Sequence, residues 1–132
     1  MNAPVDFSPT LRLLLLAAGG ALLPLAWVWL RQRHADGRAR LAMLTAVTLF
    51  LTFDLIVFGA FTRLTDSGLG CPDWPGCYGH ASPIGAESPI AQAEAAMPTG
   101  PVTEGKAWIE MVHRYLAMVV GALCLVIAVA SW

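Results

Sequence analysis

The chain is 132 residues long, 57% hydrophobic and only 13% charged, with a formal net charge of −1. A soluble domain carries about a quarter of its residues as Asp, Glu, Lys or Arg, so the composition excludes an ordinary water-soluble globule and describes a membrane protein. The total charge says little by itself, because in a membrane protein the distribution of charge across the loops carries the information; the lipid bilayer, not nucleic acid, is the expected partner.

Residues 1–10 contain Pro4, Pro9 and Asp6 but no cluster of positive charge, which argues against the basic leader of a signal peptide. Spanning the hydrocarbon core takes about 20 mostly apolar residues. Three runs approach that length, 13–30, 41–62 and 115–132. The expected fold class is therefore all-α, an integral membrane helical bundle with three transmembrane helices. Three helices enclose little volume and leave most faces to lipid.

The first run ends in Arg31, Arg33, Arg38 and Arg40 against Asp36 alone, the cytoplasmic signature of the positive-inside rule. The N-terminus is accordingly expected outside, and His34 in this loop is expected to be solvated. Gly19, Gly20 and Pro24 in the first run allow close helix approach and a kink. The second run carries Thr45, Thr48, Thr52 and Gly59 at helical spacing, as for a helix packed through small residues. It also carries Asp54. A carboxylate near mid-membrane costs about 3 kcal/mol, so it should face a bundle interior or a cofactor cavity.

Residues 63–108 hold six prolines and Asp66, Asp73, Glu87, Glu94 and Glu104 against Arg63 and Lys106. This balance is opposite to that of the arginine loop and puts the segment on the outer side. Its middle, 81–105, is rich in Ala, Pro, Gly and Ser without apolar periodicity and reads as an irregular loop. The third span starts near Lys106 to Ile109, with Trp108 as an interfacial aromatic. It ends at Trp132 with no basic anchor beyond, which suggests an interrupted sequence.

Chemistry concentrates around the second loop. Cys71 and Cys77 enclose Pro-Asp-Trp-Pro-Gly and can close as a disulfide, which for so short a loop is worth about 2 kcal/mol. A structural staple, a redox-active pair and a zinc site with His80 are all compatible with this spacing, although zinc would want a further ligand. Cys124 lies in the third span, where an inert buried cysteine is expected.

Glu110 and His113 are three residues apart, so on a helix they share a face just under the membrane surface. An imidazole there can be an axial ligand of haem iron, and the carboxylate one turn nearer water can act at a ligand's edge. The bland alternative is a hydrogen-bonded interfacial histidine. A di-iron bundle would need a second Glu-x-x-His and further glutamates that the chain lacks. Arg63, Lys106 and Arg114 border the same surface, either as snorkelling interfacial cations or as a grip on anionic groups such as haem propionates.

The run Gly59-Ala-Phe-Thr-Arg63-Leu-Thr-Asp-Ser-Gly68-Leu-Gly-Cys71-Pro-Asp-Trp74-Pro-Gly-Cys77-Tyr-Gly79, followed by Ile109-Glu110-Met-Val-His113-Arg114, resembles the first half of the haem A synthases. Two separated motifs occur in order on two spans. The resemblance implies an oxidoreductase of two similar four-helix halves that converts a methyl group of haem O into the formyl group of haem A for terminal oxidases. It implies Glu110 as the catalytic carboxylate, His113 as an axial haem-iron ligand and Cys71 with Cys77 as the external cysteine pair, beside which Arg63 and Arg114 are the expected haem-binding cations. Haem O as substrate and haem b are the implied cofactors.

Implied partners are the remaining helices of the same enzyme, together with haem O synthase or oxidase assembly factors, and the implied location is the bacterial inner membrane. On this reading 1–40 is an additional N-terminal helix with its arginine loop, and 41–132 is a partial haem-binding half joined across the external loop 63–108. The second histidine of an axial pair and the second half are not in the sequence, so the chain is expected to be a fragment or to need a partner. Two rival readings are a non-catalytic haem-binding or oxidase-assembly subunit and a membrane thiol-disulfide electron carrier.

Overall fold

Three long helices cross one another around the last of them, and a folded loop covers one end. The computed structural model describes residues 8–132. The expectation against a basic leader rests on residues 1–10, of which 1–7 lie outside the described part.

Helix α1 spans Ser8–Arg31 and α2 spans Gly37–Leu64. Two short elements follow, a 3₁₀ turn Pro83–Ala86 and helix α3 Glu87–Ala96, before α4 spans Glu104–Ser131. Among the described residues, α1, α2 and α4 are long and apolar enough to cross a membrane, and there is no strand beyond one isolated bridge. The protein is an all-α membrane helical bundle.

Polar side chains fix where the helices start. Asp36 caps α2, its Oδ1 accepting from the Ala39 N–H at 2.8 Å, which satisfies one of the donors a helix start leaves open. Thr103 caps α4 in the same way by accepting from the Lys106 N–H. The turn between α1 and α2 is closed by Arg40, which donates to the carbonyls of Gln32 at 3.0 Å and Arg33 at 2.9 Å. His34 in that turn is exposed, as its sequence context predicts.

Helix α4 packs against both α1 and α2, while α1 and α2 touch each other less. The buried stripe of α1 is Leu13, Ala17, Ala21 and Val28, spaced by four and seven residues as a single helical face requires. Gly20 lies against Val119, so a side chain at 20 would clash with it, and the predicted close approach occurs there rather than at Gly19. Leu44, Val28, Ala21 and Leu123 form a cluster toward the arginine end. Leu13, Met111, Ala107, Ile90 and the two cysteines Cys71 and Cys77 form another at the loop end.

Several expectations are corrected here. Residues 81–105 are not irregular throughout, since α3 occupies 87–96. Its Ala-rich sequence has high intrinsic helix propensity, and Pro89 falls in the first turn, where a missing N–H costs no intrahelical bond. Only Ile90 is buried along it, which is why no apolar periodicity announced it.

Asp54 is exposed on α2 and turns to neither α1 nor α4, because it stands off the stripe Leu44, Thr48 and Thr62 that α2 buries. Thr45 is exposed as well, its hydroxyl donating back to Leu41 O at 2.9 Å, whereas Thr48 is buried. Cys124 is exposed on α4, one residue beyond the buried Leu123 and so about 100° around the helix from it.

Candidate functional site

The loop that follows α2 is organised by Asp73. Its carboxylate accepts from the backbone N–H groups of Tyr78 at 2.5 Å and Gly79 at 2.7 Å. Both of those residues have positive φ, 49° and 74°. Asp at the start of such a turn replaces the missing backbone partners with its own oxygens. Cys77 and His80 then exchange two backbone hydrogen bonds of 2.8 and 2.9 Å, and Cys71 is disulfide-bonded to Cys77. The Trp74–Pro75 peptide inside the ring is cis.

This ring is carried on α4 by two side chains one turn apart. Glu110 is 6% exposed. Its Oε2 accepts from the Cys71 N–H at 2.7 Å, and its Oε1 pairs with the Arg114 guanidinium. Arg114 also donates to the carbonyls of Asp73 at 2.7 Å and Gly76 at 2.6 Å, with a longer contact to Cys71 O at 3.4 Å. A planar guanidinium suits this task because its donors fan out in a fixed fork. Tyr115, on the next residue, donates its hydroxyl to Ala81 O at 2.6 Å. Behind the ring, Gly70 lies on the backbone of α4, where a Cβ would stand 2.6 Å from the Ala107 nitrogen.

His113 projects toward α2. An ideal Cβ on Gly59 would lie 2.9 Å from its Nε2, so the missing side chain at 59 is what makes room for the imidazole. Phe58 stacks beside it, with ring centroids 6.3 Å apart and planes 12° from parallel. No hydrogen bond or ion pair engages the imidazole among the described residues. Glu110, His113 and Arg114 line one cavity of 690 Å³ together with Gly59, Thr62, Arg63 and Lys106. The cavity opens at the loop end between α2 and α4, and its polar groups converge from two helices, as ligand sites commonly do.

The cations differ in what they already hold. Arg114 is committed to the ring, and Lys106 donates its Nζ to Gly100 O at 3.0 Å. Arg63, in the last turn of α2, is exposed and makes no hydrogen bond or ion pair among the described residues. The zinc reading of the cysteines is corrected, because sulfurs bonded to each other offer no thiolates, and His80 lies over Gly85 instead. Cys71 and Cys77 are 4% and 0% exposed, which denies an exchange partner access to either sulfur and weighs against a thiol-disulfide carrier.

Sequence reading brought Glu110, His113, Arg63 and the cysteines to one place and named Gly59 as a small residue of a packed helix side, but missed the roles of Asp73, Gly70 and Tyr115. Asp73 had a signal in the Pro-Asp-Trp-Pro-Gly turn composition. Gly70 had none, because its use is a close approach to a helix far away in the chain.

The family model COX15-CtaA, described as cytochrome oxidase assembly protein, matches residues 42–132. Among curated proteins, the chain is 46% identical over 88 residues to a haem A synthase of Shewanella oneidensis, covering 67% of this chain and 27% of that protein. It is 35% identical over 89 residues to a haem A synthase of Sinorhizobium fredii, covering 59% and 24%. A haem A synthase of Lysinibacillus sphaericus is 32% identical over 75 residues, covering 57% and 19%. The matched stretch thus spans about a quarter of the length of the first two of these relatives. No solved structure matches. The cavity-lining residues of α2 and α4, the disulfide ring and the Glu110/Arg114 latch all fall within 42–132, and the chain belongs to the COX15-CtaA family of cytochrome oxidase assembly proteins.

Proposed function

We propose that this chain forms part of a haem A synthase, contributing a haem site at the loop end between α2 and α4 where a ring methyl of haem O becomes the formyl of haem A in support of terminal oxidase assembly. The observation that carries this reading is the single cavity in which an unpartnered imidazole, a buried carboxylate and an uncommitted guanidinium meet. A porphyrin fits these residues. His113 has a nitrogen without a hydrogen-bond partner, and Gly59 keeps the space beside it clear.

In this reading His113 would offer its imidazole nitrogen to the haem iron, whether of haem O or of a resident haem b. Bound haem iron supplies the redox chemistry, and the protein tunes it by ligand, charge and burial. Arg63 would hold a haem propionate as a charge-assisted pair. Arg114 contributes through the ring it fastens and through its pairing with Glu110, adding its charge at the cavity edge. Glu110 is held by the Cys71 amide and by Arg114. A carboxylate so fixed stabilises positive charge developing at the reacting carbon without reorganising. The conversion would take two hydroxylations, each adding the oxygen of a water molecule and passing two electrons and two protons to an electron acceptor outside this chain, after which the geminal diol would lose water to leave the formyl.

By the arginine bias, residues 31–40 face the cytoplasm and 63–108 the outer side of the bacterial inner membrane. The remaining helices of the enzyme, together with haem O synthase or oxidase assembly factors, are the partners in this proposal. Residues 1–40 then form an added helix and loop, and 41–132 part of one haem-binding half.

The test is spectroscopic. The purified chain loaded with haem gives a Soret band that His113→Ala abolishes or shifts, and an unchanged band and haem content overturn the ligand assignment. In a complete enzyme carrying this segment, Glu110→Gln binds haem but forms no haem A, and normal haem A output overturns the role of Glu110.

A further inference from the structure

A second concave site lies on another flank of the loop, against α1, and its α1 wall falls outside the residues that match the family. This cavity of 610 Å³ is lined by Arg12, Leu15 and Leu16 of α1 and by His80, Ser82 and Ile84 of the loop. We propose that it binds the headgroup and upper acyl chain of an anionic phospholipid, with the phosphate held by Arg12 and His80.

Charge and depth carry this assignment. The segment that forms the loop is acidic, yet none of Asp66, Asp73, Glu87, Glu94 or Glu104 lines the cavity. Three of them, Glu87, Glu94 and Glu104, surround a separate cavity beside Trp108. The flank facing α1 is therefore a locally cationic spot on an acidic surface. Arg12 is exposed and makes no hydrogen bond or ion pair among the described residues. His80 cannot drift away, because its backbone is paired in both directions with Cys77, next to the disulfide.

Arg12 is the fifth residue of α1, about 6 Å along the axis from the helix start. That is the level at which a membrane helix keeps a guanidinium among headgroups. Leu15 and Leu16, one turn deeper, are 63% and 55% exposed, and Ile84 is 66% exposed. A free anion would gain nothing from this apolar lower wall, whereas an acyl chain would. A guanidinium matches the phosphate geometry, and the apolar side chains below it take the chain that the phosphate carries.

The experiment is native mass spectrometry of the full chain released from micelles containing phosphatidylglycerol and phosphatidylcholine in equal amounts. The expected result is retention of phosphatidylglycerol over phosphatidylcholine by about tenfold. Arg12→Gln reduces that preference to about twofold or less, and Arg12→Lys keeps most of it. His80→Ala, at an exposed side chain, is the second variant and lowers the preference without touching α1. Equal retention of the two lipids by the unmodified chain overturns the proposal, as does an undiminished preference in both Arg12→Gln and His80→Ala. Displacement of phosphatidylglycerol by millimolar glycerol phosphate would make the occupant a free anion and also overturn it. The cysteine ring stays intact in the variants, read as the absence of alkylation at 71 and 77. None of these readouts involves haem, so the outcome is independent of the haem site.

Discussion

Glu110 and Arg114, one turn apart on α4, pair with each other and together hold both ends of the disulfide ring. The carboxylate takes the Cys71 amide, and the guanidinium takes the carbonyls of Asp73 and Gly76. The same two groups edge the cavity that His113 enters. The ring and the cavity are therefore one mechanical unit, and loosening one should disturb the other.

Arg114→Ala removes the ion pair and leaves the buried Glu110 with its Cys71 contact alone. Breaking a largely buried pair from one side costs about 3–5 kcal/mol. Denaturant titration in mild detergent should show that loss, and amide exchange across 71–80 should accelerate. Arg114→Lys should recover little, since an ammonium cannot span two carbonyls and a carboxylate with fixed geometry.

Replacing both Cys71 and Cys77 by Ser should cost about 2 kcal/mol, the chain entropy of a short ring. The ring should nevertheless stay docked, because Asp73 and Arg114 hold it through four hydrogen bonds independent of the sulfurs. The expected outcome is a lower unfolding midpoint with amide protection at 78 and 79 retained. Loss of that protection would show the disulfide to be the primary constraint.

Gly59→Ala separates stability from site geometry. Alanine favours a helix over glycine by about 1 kcal/mol, and the atom it meets is the tip of a movable side chain, His113 Nε2. The fold should be as stable as before or slightly more so. The imidazole must shift, and haem affinity should fall about 10–100-fold, as when a ligand's supporting contact is lost. Haem titration followed by the Soret band measures it.

Gly70→Ala should behave in the opposite way. The added Cβ meets the backbone of α4 at Lys106 and Ala107, with 2.6 Å to the nearest atoms, and backbone inside a helix cannot step aside. Overpacking of this kind costs about 1–3 kcal/mol. Thermal unfolding of the chain in detergent should report that loss, with faster proteolysis of 65–80.

What the sequence determined by itself was everything governed by local rules. Long apolar runs marked three spanning helices, a six-residue separation allowed the Cys71–Cys77 ring, and a three-residue separation put Glu110 and His113 on one face. Helix α3 escaped because a helix that buries one residue has no apolar rhythm to detect. Tertiary structure alone decided what meets across long separations. Arg114 reaches carbonyls 38 and 41 residues away, and Glu110 an amide 39 residues away. It also decided that Asp54 and Cys124 turn away from the other helices, and that Gly59 opens a place for an imidazole. Hydropathy and period depend on a residue and its neighbours in the chain, whereas a close approach between helices depends on the rotation of both about their axes, which only their packing sets.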